Sequence, residues 1–196
     1  MTRKSITPKL RAAVLEEYDH RCAICGSHRP QIHHIDEDHS NNDPLNLLPL
    51  CPNHHIRDQH SPTLKPDPRK IYLFRKFKDP AILKPQFHPI FVRQSFLEAV
   101  SPGEEQIYTL KREAEELIDF VQAFEMGQFY AKRLRELLSV PTGFRLPPLN
   151  GAFDRQNEKD TRDESREYRD KLILNRAETQ ALLVEMLRYQ RWAHDA

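Results

Sequence analysis

Cysteine and histidine side chains that could bind a metal are concentrated between Cys22 and His60. This stretch holds all three cysteines of the 196-residue chain and most of its ten histidines. Cys22 and Cys25 form one pair separated by two residues, and Cys51 and His54 form a second pair with the same spacing. A tight turn with this spacing aims both side chains at one ion, and zinc is commonly bound by two such pairs. The two pairs therefore predict a structural zinc site, which would stabilise a segment too small to fold by burial alone.

Three further histidines in this stretch stand out by their positions. His33 and His34 are adjacent, and His55 follows directly after the zinc ligand His54. Neutral imidazole binds transition metals, and its pKa near the working pH also suits it to act as a general base. We interpret these histidines as a functional cluster beside the zinc site, the alternative being ordinary surface histidines.

The order of these residues resembles that of the HNH endonuclease family. The matching residues run through Cys22-x2-Cys25-Gly26, His33-His34-Ile35, Asn46-Leu47 and Leu50-Cys51-x2-His54-His55. The resemblance covers residues 8–60, under a third of the chain. It implies the ββα-metal fold of the zinc-containing branch of that family.

The resemblance also implies a role for each member of the cluster. His34 matches the general base, and Asn46 matches the residue that holds the loop and orients that base. His33 and His55 match ligands of a catalytic divalent metal such as Mg²⁺, Mn²⁺ or Ni²⁺. The implied activity is metal-assisted hydrolysis of phosphodiester bonds in DNA, with RNA left open as a substrate.

Two positions depart from the family pattern. The usual last zinc ligand is cysteine, whereas this chain has His54, so an exchange of roles between His54 and His55 stays open. Some relatives add a metal-binding histidine one helical turn after the last motif histidine, where this chain has Gln59. A third protein ligand for the catalytic metal therefore stays open as well.

Positive charge is concentrated outside the motif. The net charge of the whole chain is +1, but residues 61–100 carry eight Lys and Arg against three Asp and Glu. Basic residues interleaved with aromatic ones suit contact with a phosphate backbone. We predict nucleic-acid contacts by Arg57, Arg69, Lys70, Arg75 and Lys76. The alternative is that the aromatic side chains form core and the basic ones a solvated rim.

The chain as a whole is predicted to be α+β, a small zinc-stabilised ββα domain followed by a mainly helical region. We expect residues 1–62 to form the nuclease domain, residues 63–100 a basic, proline-interrupted connection, and residues 101–196 a region of two long helices. Apolar residues at helical steps from Ile107 to Phe124 predict the first, bent near Gly127. The second, from about Glu158 to Trp192, is expected to begin highly charged and to become apolar through Leu174, Ala177, Ala181, Val184 and Leu187. We expect this region to form a homo-oligomer or to bind a regulatory partner.

The remaining features concern the class of protein. Three clustered cysteines do not suit a disulfide framework, no apolar run reaches membrane length, and the N-terminal residues lack the core of a secretion signal. We predict a cytoplasmic protein with no membrane partner. Analogy with small HNH proteins that carry unfamiliar extensions suggests an effector in anti-phage defence. The alternative class is a non-catalytic zinc module, derived from a nuclease, that binds nucleic acid or protein.

Overall fold

The computed structural model describes residues 5–59, 67–100, 107–140 and 155–190. Within these residues the chain is mostly helical and has one two-stranded sheet, so the predicted α+β class is confirmed. Contacts divide the chain into two units, residues 1–84 and residues 85–196. No helix in the described ranges combines the length and apolar character that crossing a bilayer requires.

The first unit begins with helix α1, Pro8–Glu16. The Thr7 side chain caps this helix by accepting a hydrogen bond from the backbone N–H of Leu10 at 3.3 Å. Proline at the first helical position costs nothing there, because that N–H has no partner within a helix. The chain then enters residues 21–28, here called the knuckle, which a backbone bridge between Arg21 and His28 closes.

The sheet consists of strand β1, Gln31–His34, and strand β2, Leu47–Leu50. The strands are antiparallel, and their register places His34 opposite Leu47. All four residues of β2 are buried, as expected of a leucine-rich strand covered on both faces, and helix α1 packs against it. The sheet thereby carries the adjacent histidines at the end of β1 into the interior of the unit.

Two short helical segments flank β2. A 3₁₀ turn, Pro44–Asn46, leads into the strand, and a π-helix, Asn53–Gln59, follows it. The Asp43 side chain starts the 3₁₀ turn by accepting from the backbone N–H of Leu45 at 2.7 Å. Cys51 lies between β2 and the π-helix. The second pair of predicted zinc ligands therefore begins beside the sheet.

Helix α2, Pro68–Phe77, and a 3₁₀ turn, Pro80–Leu83, complete the described part of the first unit. Asp67 caps the start of the helix, and Lys78 caps its end, with a φ of +51° and its N–H donated to the Phe74 carbonyl. The helix packs against the Pro44–Asn46 turn. Its buried face therefore meets the segment that carries Asn46.

The second unit contains five described α-helices, preceded by a 3₁₀ turn, Pro85–Phe87. The helices are α3 (His88–Gln94), α4 (Phe96–Ala99), α5 (Ile107–Gln122), α6 (Gly127–Leu138) and α7 (Arg155–Tyr189). Helix α5 packs against α3 and α6, and α7 packs against α6 and α4. The apolar stripe predicted along α5 is confirmed, because Ile107, Leu110, Ala114, Leu117 and Val121 are all buried.

The region expected to hold two long helices has three among its described residues. The first is not merely bent: α5 ends at Gln122, and α6 starts at Gly127 and packs back against α5. A Cβ at Gly127 would lie 2.3 Å from the backbone oxygen of Val121 and 2.7 Å from that of Gln122. Only glycine lets the two chain segments approach this closely.

Only part of the apolar run along α7 faces inward. Leu174 is 81% exposed, and Ala177 and Ala181 are exposed as well, whereas Val184 and Leu187 are buried. Side chains of α7 instead bind carbonyls at the end of α6: Tyr168 Oη to Leu138 at 2.8 Å, Lys171 Nζ to Ser139 at 2.7 Å and Asn175 Nδ2 to Leu137 at 2.9 Å. The last carbonyls of a helix lack partners within it, so these bonds set which face of α7 is inward.

We expect Gly127→Ala to destabilise the second unit by about 1–3 kcal/mol, because the added methyl group meets backbone atoms that cannot rotate away. Chemical denaturation of the full chain measures the change. The matched control is Gln128→Ala, at the exposed neighbouring position, which should change the free energy of unfolding by less than about 0.5 kcal/mol. Equal effects of the two substitutions would contradict this account of the turn.

Candidate metal centre and histidine cluster

Three cysteines and one histidine form a compact group whose ligand atoms all lie within 4.8 Å of one another: Cys22, Cys25, Cys51 and His54. The Sγ atoms of Cys25 and Cys51 are 3.8 Å apart. His54 Nδ1 lies 3.3 Å from Cys51 Sγ and 3.5 Å from Cys22 Sγ. A tetrahedral zinc with ordinary bond lengths has sulfur–sulfur edges of about 3.8 Å and sulfur–nitrogen edges of about 3.5 Å. The group therefore has the dimensions of a site for an ion such as zinc.

Backbone hydrogen bonds place these ligands. Within the knuckle, Gly26 donates its N–H to the Cys22 carbonyl at 2.9 Å and has a φ of +70°, which glycine adopts without strain. Ala23 donates its N–H to the Pro49 carbonyl at 2.8 Å and so ties the knuckle to β2. The second pair starts where β2 ends, at Cys51. Both pairs are thus fixed to the same strand.

The two thiols of the knuckle have pKa values shifted in opposite directions. The Ser27 hydroxyl lies 3.1 Å from Cys25 Sγ and, by donating to the thiolate, lowers the pKa of Cys25 to about 6. Burial raises the pKa of Cys22 above its ordinary value. Thiolate is the form that binds a metal. Cys25 is therefore prepared as a ligand by its neighbour, whereas a thiolate at Cys22 needs the charge of a cation beside it.

The predicted grouping of these four residues is confirmed. Of the two adjacent histidines, His54 and His55, it is His54 that belongs to the group. His54 completes the cysteine group, whereas the ring of His55 lies against that of His33, with centroids 5.2 Å apart and an angle of 75° between the planes. Two imidazoles that share one ion have centroids about 5 Å apart, so this pair has a suitable spacing. Among the described side chains, only the cysteine group assembles three or more Cys, His, Asp or Glu ligands.

His34 has a different set of neighbours from His33, as alternation along a strand requires. Its Nε2 lies 3.1 Å from Asn42 Oδ1, and Asn42 Nδ2 donates to the Ser5 carbonyl at 3.4 Å. Because the amide donates to Ser5 through its nitrogen, its oxygen is the atom that faces His34. An amide oxygen only accepts, so Nε2 carries the proton and Nδ1 has the lone pair.

His39 and Asn42 were not identified from the sequence as part of the site. His39 Nδ1 lies 3.4 Å from His34 Nδ1, and the two rings meet edge to face with centroids 5.2 Å apart. Both residues belong to residues 36–43, here called the 36–43 loop. The available signal was its run of Asp, Ser and Asn, residue types whose side chains bind nearby backbone and build compact loops.

Asn46 is buried and holds the 36–43 loop. Its Oδ1 accepts from the backbone N–H of Asp36 at 3.0 Å, and its Nδ2 donates to Asp36 Oδ1 at 2.8 Å and to the Asn41 carbonyl at 2.9 Å. All three bonds go to the loop. Asn46 is thus connected to His34 through loop residues that contact the imidazole.

The structure corrects the prediction that Arg75 contacts nucleic acid. Its side chain is 3% exposed, and it donates to the carbonyls of Pro44 and Leu47, to the carboxylate of Glu17 and to the hydroxyl of Tyr18. A guanidinium enclosed in this way cannot reach a phosphate. The residue was misread because its position among exposed basic neighbours gave no sign of burial.

The other predicted contacts remain predictions. Arg69 is exposed and paired with the aspartate that caps α2, at 2.7 Å. Lys70 is half-buried, which lowers its pKa, and its Nζ donates to the Lys84 carbonyl at 3.4 Å. Lys76 is exposed and lies over the Phe77 ring. The side chain of Arg57, like that of Gln59, falls outside those that the structure describes.

No family model, curated protein or solved structure matches this chain. Any function must therefore be argued from the residues and the geometry of the two sites.

We expect Cys51→Ser to lose the bound metal and to unfold much of the first unit, because a structural ion supplies folding energy directly. Elemental analysis of the purified chain should show about one zinc per chain for the unaltered protein and a large loss in the variant. Circular dichroism follows the fold. His88→Gln, in the second unit and exposed, is the control that should keep both. Retention of zinc by Cys51→Ser would remove that residue from the ligand set.

Proposed function

We propose that this protein is a metal-dependent endonuclease of the HNH type that hydrolyses phosphodiester bonds in DNA. The observation that carries the proposal is the state of His34, whose Nε2 is tied to an amide oxygen and whose Nδ1 keeps the lone pair. A base held in this way is the next residue after His33, whose ring lies against that of His55. The order of two strands and a helical segment, with the cysteine group beside it, also supports the proposal.

His33 and His55 are the residues that would hold the catalytic ion. Their buried and half-buried rings have a spacing that suits shared ligation, and imidazole is a ligand for several divalent metals. When bound, such an ion would stabilise negative charge on the phosphate and on the departing 3′ oxygen. The chain contributes the orientation of the two rings.

His34 is proposed as the general base. Its Nδ1 takes one proton from the attacking water, while Nε2 keeps its own proton and donates it in a hydrogen bond to the Asn42 oxygen, which stabilises the imidazolium that forms. His39 stands on the side of this lone pair. A water that is to be activated there has to displace the His39 ring, which its exposed position on the loop allows.

The cysteine group is proposed to hold a structural zinc. It joins the knuckle to the start of the π-helix, which carries His55. Strand β2 leads into this helix and pairs with β1, which carries His33 and His34. A closed set of four protein ligands is typical of structural rather than catalytic zinc. The zinc would therefore position the cluster without taking part in the reaction.

The second unit is proposed as the part that forms a homo-oligomer or receives a regulatory partner. The exposed apolar positions on α7, Ile173 and Leu174 with Ala177 and Ala181, support this role. A role in anti-phage defence rests on the family resemblance and also stays a proposal.

We expect the purified protein to nick plasmid DNA when Mg²⁺, Mn²⁺ or Ni²⁺ is supplied. His34→Ala should lower the rate by about 10²–10⁴-fold, because it removes the base, and it should keep the zinc. His88→Gln should cut at the unaltered rate. A protein that binds DNA with its zinc in place but does not cut with any of these ions would instead be the non-catalytic zinc module.

Asn42→Ala should lower the cleavage rate by about 10–100-fold, because His34 loses the acceptor that fixes its tautomer. Asn42→Asp keeps an oxygen at that place and should retain much more of the activity. Single-turnover cleavage with saturating metal compares the two. A rate for Asn42→Ala equal to that of the unaltered protein would refute the tautomer assigned to His34.

A further inference from the structure

One buried cationic side chain of helix α2, that of Arg75, reaches the segment that precedes β2. Arg75 Nε donates to the Leu47 carbonyl at 2.8 Å, and its Nη2 donates to the Pro44 carbonyl at 3.1 Å. These two carbonyls lie on either side of Asn46 in the chain. The guanidinium therefore fixes both ends of the turn from which Asn46 projects.

The other side of the guanidinium faces the end of α1. Nη1 donates to Glu17 Oε1 at 3.0 Å and Nη2 to Glu17 Oε2 at 2.5 Å, and Nη1 also lies 3.3 Å from the Tyr18 hydroxyl. Hydrogen bonding from Arg75 lowers the pKa of Glu17. The five bonds to Glu17, Tyr18, Pro44 and Leu47 match the five N–H donors of arginine, so the buried charge is fully satisfied.

The fixed turn connects to the histidine cluster by two short routes. Leu47, whose carbonyl Arg75 binds, lies opposite His34 in the strand register. Asn46 binds the backbone and side chain of the 36–43 loop, and that loop carries the amide that holds His34 Nε2. A shift of the turn would therefore move the base.

We propose that Arg75 is a positioning residue for the histidine cluster, so that α2 is a working part of the nuclease site. This inference rests on the proposed function. Arg75 acts through Asn46 and Leu47, and it contacts neither DNA nor the reacting atoms. Lysine cannot replace it, because one ammonium nitrogen cannot span two carbonyls and a carboxylate as the planar guanidinium does.

The first test compares Arg75→Lys with Arg11→Lys in the full chain. Both keep the charge of the first unit, but Arg11 is exposed on α1 and is therefore the matched control. Arg75→Lys should lower the single-turnover cleavage rate by about 10–100-fold and should change the Kd for DNA by less than about twofold. Arg11→Lys should leave the cleavage rate unchanged. A loss confined to DNA affinity would overturn the proposal.

The second test asks whether Arg75 acts through Asn46. Asn46→Ala alone should slow cleavage, and adding Arg75→Lys to it should slow cleavage little further, because the turn then has no loop contact left to position. Losses that multiply fully in the double variant would show independent effects and would overturn the proposed route.

The third test does not need activity. Two-bond ¹H–¹⁵N spectra of the histidine side chains should show the His34 ring signals shifted in Arg75→Lys and unshifted in Arg11→Lys, at equal zinc content. If the unaltered protein does not cut DNA but these signals move, the proposed function fails and the role of Arg75 stands. Unmoved His34 signals in folded Arg75→Lys would overturn it.

Glu17→Gln separates positioning from general stability. It removes the ion pair and leaves the two carbonyl contacts of Arg75, so it should lower the melting temperature without moving the His34 signals. This variant also decides the matter if Arg75→Lys does not fold. His34 signals that move in Glu17→Gln would mean that loosening the unit is sufficient, and the specific role of Arg75 would be lost.

Discussion

The first unit depends on one geometric constraint. Four ligand atoms from two distant segments of the chain must have the mutual spacing that one tetrahedrally bound ion requires. The knuckle supplies Cys22 and Cys25, and the segment after β2 supplies Cys51 and His54. Between these pairs the chain forms both strands of a very small sheet. A two-stranded sheet is at best marginally stable by itself. An ion at this place would therefore set the relative position of the strands, and with it the position of every histidine that they and the π-helix carry.

The polar residues around the two strands are linked to one another by hydrogen bonds and ring contacts. The sheet separates the surroundings of His33 from those of His34, and the 36–43 loop, held by Asn46, surrounds the latter. The arrangement gives two adjacent residues different chemistry: one imidazole lies where an ion could be shared, and the other has its tautomer set by an amide. The proposed nuclease activity needs both conditions at once, a metal ligand and a base with a directed lone pair.

The cysteine group was predictable because its spacing is local: two pairs, each within a single turn, report a metal site without knowledge of the fold. The cap of α1 is local in the same sense, because Thr7 lies three residues before the N–H that it binds. The environment of Arg75 was not predictable, because its partners lie 28 to 58 residues away, and the contact His39 makes depends on how its loop folds. The turn at Gly127 and the inward face of α7 likewise depend on close approach between helices, which apolar periodicity does not report.

The outer edge of β2 has a consequence for self-association. The backbone groups there are already used: the Leu47 N–H and the Pro49 carbonyl bind the preceding turn and the knuckle, and the Leu47 carbonyl binds Arg75. Pro49 has no N–H to offer. An unpaired strand edge is a template on which another polypeptide can add a strand, and proline is a common means of preventing this. The edge of the sheet along β2 is thereby closed to a further strand and protected from edge-to-edge aggregation.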